Sequence, residues 1–327
     1  MDETKLHVVF GTGPLGMAVA RRLTSQGKRV RLVNRSGRAA VPAGVEMAQA
    51  DVTNHEEARR ACAGASVVYN CTNAPYTQWP QIFPLLMAGV IEGAASAGAK
   101  LIVSDNLYMY GPVRGPLTED LPYAATGRKG ITRARIAQMA LDAHNAGRVR
   151  VAIGRASDFY GPGVLDSAMG QRVFENVLRG KPADLLGDID APHSYTYIED
   201  FAAGLATLGE REEALGHVWH LPTAQTITTR QFMQMVSQEA GMPIKLRVAP
   251  RPLISVMALF NPIMREIKEM LYEFEEPFVL DHSKFEQAFG SSPTPHAEAI
   301  RQTLDWYKQR LAPQAVVRQP LPAGALK

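Results

Sequence analysis

Two cysteines, Cys62 and Cys71, are too few for a disulfide framework, and neither has His or Cys neighbours at metal-ligand spacing. A disulfide scaffold and a bound metal fall away at once, and both residues are expected to be core thiols. An excess of one charge is also missing. The 35 basic and 32 acidic residues leave a net charge of +3, which gives no strong drive toward nucleic acid or an anionic membrane. A small-molecule substrate is the expected partner, with no nucleic acid and no membrane. No apolar run is long enough to span a bilayer, because the stretch near 85–103 is interrupted by Glu92, Lys100 and glycines. The opening MDETKLHVVF has no basic start, apolar stretch or cleavage site, so the cytoplasm is the expected location. Internal repeats are absent as well.

What is present suits a packed globular chain: 46% hydrophobic and 20% charged residues. A length of 327 residues exceeds what one core usually serves, so a large domain and a smaller lobe sharing a cleft are expected. From Leu6 to Ala156, short β-branched runs alternate with amphipathic stretches, the rhythm of β-α-β units winding a parallel sheet. Strands are expected at 6–10, 29–34, 45–50, 66–71, 100–104 and 148–154, and helices at 15–26, 53–62, 79–97 and 129–145. After Arg155 turn signals multiply and shorter strands follow, at 194–198 and 217–221, in a smaller mixed lobe. The expected division is a dinucleotide-binding domain over 1–156, to which later segments return, a mainly substrate-binding lobe over 157–311, and a flexible tail over 312–327. The Met-rich stretch Pro252 to Glu275 reads as a core helix, with a pliable ligand wall or subunit contact as the alternative.

Directly after the first strand stands GTGPLG, Gly11-Thr12-Gly13-Pro14-Leu15-Gly16, running on into the helical MAVARRL. In that context Gly11 permits a tight turn, Gly13 lets a diphosphate approach backbone N–H groups, and Gly16 lets helix and sheet pack closely. The helix N-terminus then faces the anion. A site preferring NAD places Asp or Glu at the end of the second strand, whereas this chain has Asn34-Arg35-Ser36-Gly37-Arg38. With no carboxylate to repel it, a 2′-phosphate can lie against Arg35 and Arg38, so NADP (NADPH) is favoured over NAD. Asp51 is placed to accept from an adenine amino group with Val52 beside the ring, or else to cap the next helix. Cys71 and Asn73, after the fourth strand, complete the expected cofactor contacts.

Beyond the glycine loop, VSDNLYMYG (103–111), GRASDFYGPG (154–163), SYTYIEDFAAGL (194–205), LDHSKFEQAFG and LDWYKQRL resemble, in order, segments of the extended short-chain dehydrogenase/reductase superfamily, of the NAD-dependent epimerase/dehydratase type. The resemblance covers nearly the whole chain and implies a Rossmann-type doubly wound α/β sheet with a smaller mixed C-terminal substrate lobe. It also implies that a Ser or Thr after strand five and a Tyr-x-x-x-Lys on the next helix do the chemistry, the tyrosine passing a proton as hydride moves. Here the hydroxyl position falls on Asn106. The Tyr and Lys positions fall on Lys129 and Arg133, or one residue later on Gly130 and Ala134, and Tyr123, followed four residues later by Gly127, does not supply the motif.

The candidate catalytic residues are therefore Asn106, to orient a carbonyl, and Lys129 with Arg133, one helical turn apart, to polarise an oxygen or bind a carboxylate. Alternatively Arg128, Lys129, Arg133 and Arg135 form a solvated basic face. Sugar-nucleotide members of the superfamily carry an Arg before the Tyr-Val-Asp-Asp segment. Here His193-Ser194-Tyr195 precedes Tyr197-Ile198-Glu199-Asp200, which argues against a nucleotide sugar. Tyr76, Trp79, Asp158, Tyr160 and His193 are candidates to line the substrate pocket. Two functions follow: an NADP-dependent reductase or epimerase-like enzyme acting on a small carbonyl or enone, or a catalytically silent NADP(H)-binding sensor or partner protein. A homodimer formed through helices 79–97 and 129–145 is the expected assembly.

Overall fold

The computed structural model describes residues 5–312, so the expected tail lies almost wholly outside the described residues. β1 (Leu6–Phe10) is buried along its whole length, as expected of a parallel strand covered on both faces. With β2 (Arg29–Asn34), β3 (Glu46–Gln49), β4 (Ala65–Asn70), β5 (Lys100–Asp105), β6 (Arg150–Arg155) and β7 (Val218–His220) it forms one parallel seven-stranded sheet in the order β7-β6-β5-β4-β1-β2-β3. The order reverses at β1, which opens a crevice beyond the carboxyl ends of β1 and β4.

Helices cover both faces. On one, α2 (His55–Cys62), α3 (Trp79–Ser96) and α4 (Arg128–Asn145) pack Ala58, Val90, Ile91 and Ile136 over the sheet. On the other lie α1 (Pro14–Ser25), α6 (Ile198–Glu210) and α11 (Ser283–Phe289), contributing Val19, Leu23, Leu205 and Phe285. Both cysteines are buried and free, and burial pushes each thiol up to about 12. α2 starts at His55 and is capped by Asn54, whose side chain accepts from Glu56 N and Glu57 N at 3.1 and 3.4 Å. The capping role considered for Asp51 is therefore overturned.

Val218–His220, read from the sequence as part of the smaller lobe, is instead the edge strand of the main sheet, with His220 in register with Arg155 of β6. A parallel edge strand needs a crossover, and α6 supplies it. The smaller core gathers α5 (Gln171–Leu178), α7 (Thr229–Ala240) and α12 (His296–Leu311) beside the paired strands Ala183–Leu186 and Leu246–Ala249. Tyr160, only 1% exposed, sits inside this core with its hydroxyl 3.3 Å from His296 Nδ1, so the structure gives it a packing role rather than a place on the cleft.

The Met-rich stretch is three helices, α8 (Arg251–Phe260), α9 (Pro262–Glu269) and α10 (Tyr272–Glu275). Asn261 accepts from Ile263 N and Met264 N, and Pro262 at the first helical position stops α8 from continuing. The core-helix reading fails for α8: Leu253, Val256, Met257, Leu259 and Phe260 are exposed, Phe260 at 85%, while Met270 is buried. Among the described residues, no helix is long and apolar enough to cross a membrane.

Candidate active site

The turn from β1 into α1 is fixed by backbone crowding. Gly11 has φ +105°, donates to Val33 O at 2.9 Å, and would place a Cβ 2.3 Å from Cys71 O. A Cβ on Gly16 would lie 1.9 Å from Gly11 O. Gly13 differs: a Cβ there meets nothing within 4 Å and would project into the open cradle at the mouth of α1. Pro14 occupies the first helical position, where its missing N–H costs nothing, and the remaining first-turn N–H groups of Leu15 and Gly16 face a site suited to an anion.

At the end of β2 the Asn34 side chain organises the turn. Its Nδ2 donates to Thr12 Oγ1 at 2.9 Å and to Arg38 O at 3.0 Å, and its Oδ1 accepts from Gly37 N at 2.7 Å. Arg35 and Arg38 are exposed and have no ion-pair partner among the described residues. Asp51 Oδ1 accepts from Thr53 N at 3.0 Å and Thr53 Oγ1 at 2.8 Å; these bonds, with Arg35 nearby, hold its carboxyl below the ordinary range. Val52 is buried beside it. Cys71 N bonds to Phe10 O, and the exposed Asn73 accepts from Ala74 N. The cradle, the cations and Asp51 thus lie along the carboxyl ends of β1 to β4.

The other end of the cleft is built by α4, the turns after β5 and β6, and α9 with α10. Lys129 is 1% exposed, so it is no part of a solvated face. Its Nζ donates to the Tyr76 carbonyl, lies 3.0 Å from Glu266 Oε2, and sits 3.4 Å from the centre of the Tyr76 ring. Its backbone N–H donates to Glu269 Oε1 at 2.7 Å. Burial lowers its pKa, and Glu266 opposes the shift. Arg133 lies over Trp79 and Phe83, at 4.4 and 4.2 Å from their ring centres, with Nη1 3.4 Å from Asp105 Oδ1. Arg128 and Arg135 remain on the outside. Asn106 spends its Oδ1 on Tyr108 N at 3.1 Å and leaves its Nδ2 without a partner among the described residues. Trp79 stacks on Tyr108, and Asp158 holds His193 Nε2 at 3.0 Å.

Asp105 ties this end together. It is fully buried at the end of β5, with Oδ1 toward Arg133 and Oδ2 3.4 Å from Arg155 Nε. Burial raises its pKa, and Arg155 and Arg133 pull it back. Arg155 in turn donates to Tyr110 Oη at 2.6 Å and Tyr123 Oη at 2.5 Å. Having accepted from Arg155, Tyr110 donates to His220 Nε2 at 2.8 Å, so His220 is neutral, with its Nδ1 proton on Asp281 O. Burial, with Arg155 nearby, lowers the His220 pKa to about 3.

Sequence reasoning missed Asp105 and the acidic trio Glu266, Glu269 and Glu273, and weighed Tyr123 only as a tyrosine for the catalytic motif. The trio had a signal in its spacings of three and four, the helical same-face pattern; Glu266 and Glu269 of α9 meet Lys129 of α4, while Glu273 lies on the separate helix α10. Eight buried side-chain N and O atoms have no partner among the described residues, and four of them, Arg133 Nε, Ser157 Oγ and both Glu273 oxygens, belong to this end of the cleft. Half of the unbonded buried polar atoms among the described residues thus gather at this end of the cleft.

A family model described as the NAD-dependent epimerase/dehydratase family matches residues 8–221. In structure the chain is similar to UDP-glucuronic acid 4-epimerase from Bacillus cereus in complex with NAD, at 17% identity and a TM-score of 0.77, covering 93% of this chain and 99% of that one. It is similar to an epimerase from Methanothermobacter thermautotrophicus at 17% identity and a TM-score of 0.79, covering 94% and 93% of the two chains. It is also similar to dTDP-glucose 4,6-dehydratase from Bacillus anthracis in complex with NAD, at 14% identity and a TM-score of 0.77, covering 93% and 97%. No curated protein matches in sequence. Identities this low establish a shared fold.

Proposed function

Because the chain belongs to the NAD-dependent epimerase/dehydratase family, we propose that it is an NADP(H)-binding oxidoreductase or epimerase-like enzyme acting on a small carbonyl or enone with a nonstandard active site. The observation that carries this reading is the glycine loop, open in front of Gly13, with Arg35 and Arg38 unpaired among the described residues and no carboxylate at the end of β2. The two Bacillus structures contain NAD; here the cations favour a dinucleotide with a 2′-phosphate. The backbone from Gly11 to Gly16 holds the diphosphate, Thr12 and Asn34 brace the turn, Arg35 and Arg38 take the phosphate, and Asp51, Val52, Cys71 and Asn73 line the adenine side. When bound, the dinucleotide gives or accepts a hydride at its nicotinamide ring.

The substrate is held by the chain's own groups. Asn106 Nδ2 has no partner among the described residues and would orient a carbonyl oxygen, with Tyr76, Trp79, Asp158 and His193 as the proposed pocket lining. A nucleotide sugar is disfavoured, because His193 is committed to Asp158 and stacked between Tyr195 and Phe278 where a guanidinium clamp would be needed. A second reading, a catalytically silent NADP(H)-binding sensor, draws on one observation: Lys129 and Arg133 are already paired with Glu266 and Asp105. A homodimer through α3 and α4 completes the proposal, with the exposed Leu85 and Ile131 on their outer faces at the contact.

The test is a fluorescence titration with NADPH and NADH, repeated with Arg35→Ala. Wild type should prefer NADPH, and the variant should lose roughly tenfold or more of its NADPH affinity while NADH binding holds. Binding of neither dinucleotide would refute both readings. Tight NADPH binding with no turnover across aldehydes, ketones and enones would favour the sensor.

A further inference from the structure

A net charge of +3 over the whole chain hides an uneven surface. α8 is apolar on two faces. Ile254 and Ala258, four residues apart, are buried against the fold, while Leu253, Val256, Met257 and Phe260, at spacings of three and four, form a second stripe that faces outward. The most exposed of the apolar groups stand at the turn into α9, where Phe260 is 85% and Leu259 69% exposed, with Ile263 just beyond. Apolar groups gathered on one outer face mark an interaction surface. Beside them the exposed charges have a single sign. From Met242 to Lys268 every exposed charged residue is basic: Lys245, Arg247, Arg251, Arg265 and Lys268. Glu266, the one acid in that stretch, is buried and paired with Lys129. Asp184 holds Arg247 and Glu275 holds Arg251, whereas Lys245, Arg265 and Lys268 have no ion-pair partner among the described residues.

We propose that the outer face of α8 and α9 docks on the surface of an anionic lipid bilayer, laying its apolar stripe against the acyl chains just below the headgroups and setting Arg265 and Lys268 among the lipid phosphates. Apolar groups on one side of a helix with cations beside them are the makings of an interfacial anchor, since buried apolar area and attraction to anionic lipid act together. The largest apolar groups stand at an exposed turn between two short helices, so they form a wedge that enters a lipid surface without any shaped partner. The expectation of no membrane partner came from the charge of the whole chain, and the local surface revises it. A second copy of this chain is a poorer occupant, because a two-fold contact through this face would bring Arg265 and Lys268 toward the same cations of the copy. The dock is fixed to the cleft: on the inner side of α9, Glu266 pairs with Lys129 Nζ and Glu269 accepts from the Lys129 N–H, so a docked molecule holds the α4 end of the cleft at the lipid surface.

The test is co-sedimentation of the full chain with vesicles of phosphatidylcholine alone and of phosphatidylcholine mixed equally with phosphatidylglycerol. The chain should partition onto the mixed vesicles roughly tenfold better or more, and lose most of that advantage between about 0.1 and about 0.5 M salt. Leu259→Ser combined with Phe260→Ser should weaken binding roughly tenfold or more with Tm unchanged, because both side chains are exposed, and Arg265→Gln combined with Lys268→Gln should remove most of the preference for anionic lipid. Phe260→Trp keeps the patch apolar, and its emission should shift to the blue on mixed vesicles and be quenched by lipids brominated on their acyl chains. Absence of binding to mixed vesicles, binding that ignores the Leu259 and Phe260 changes, or a Trp emission that does not move overturns the proposal. A chain that ignores vesicles and sediments as a dimer that Phe260→Ser dissociates overturns it as well, and gives the face to a second copy. The NADPH titration is independent of all these outcomes, so the oxidoreductase reading stands or falls separately.

Discussion

Replacing Asp105 with Asn removes one negative charge from between two buried guanidiniums and keeps the size of the side chain. The Asp105 and Arg155 side chains are 1% and 0% exposed and that of Arg133 is 11%, so solvent cannot compensate the loss. Removing one partner of a buried ion pair costs about 3–5 kcal/mol. At an unfolding entropy of about 2.1 cal/mol/K per residue, a chain of this length changes stability by about 0.7 kcal/mol per degree, so Tm should fall by about 4–7 °C. Asparagine still accepts the bond that Asp105 Oδ1 receives from Asn106 N at 2.9 Å, so the loss reports charge rather than the turn. Arg155→Met acts differently, because it strips a donor from the Tyr110 and Tyr123 hydroxyls. The double variant should cost less than the sum of the two, since no guanidinium of residue 155 is left to be stranded. Melts at pH 7 followed by circular dichroism, with urea unfolding alongside, measure all three. A drop below about 1 °C in Asp105→Asn, or strict additivity in the double variant, would refute the network as drawn.

Gly13→Ala and Gly16→Ala separate binding from folding. The first adds a methyl to open space at φ −72°, and should leave Tm unchanged while weakening nicotinamide-dinucleotide binding at least tenfold in a fluorescence titration. The second forces a Cβ to within 1.9 Å of Gly11 O and should lower both. His7 and His220 are buried, and burial holds their pKa at about 4 and about 3. Both lie below the unfolded value of about 6.5, so the unfolded chain binds more protons, and stability should fall as pH drops below about 6.5, by up to about 1.4 kcal/mol per unit for each histidine. A melting temperature that stays flat from about pH 7 to 5 would contradict this. Glu273 acts with the opposite sign: its raised pKa gives stability that is present in acid and lost as pH rises, so Glu273→Gln should steepen the acid loss.

The parallel sheet was legible because its strands are buried on both faces and its helices cross over at regular intervals. LHVVF followed by GTGPLG fixed β1, the cradle and the start of α1 together. β7 was misplaced because three residues carry little pattern, and its partner β6 lies 63 residues away at the Arg155–Val218 gap. α8 misled because apolar residues at helical spacing look alike whether they face a core or solvent. At the site, Lys129 and Arg133 could be placed by counting along the chain. Their neutralising partners could not, since Glu266 and Asp105 are brought to them only by tertiary packing.

The late return of β7 governs how this protein is made. Until the ribosome has delivered Val218–His220, the outer edge of β6 stands unpaired. At about 5–20 residues per second, the stretch of chain after Arg155 takes roughly 3–13 s to emerge. For that interval the nascent cofactor half carries an open strand edge, and that edge is where holding chaperones and stray β-pairing compete for the chain during synthesis.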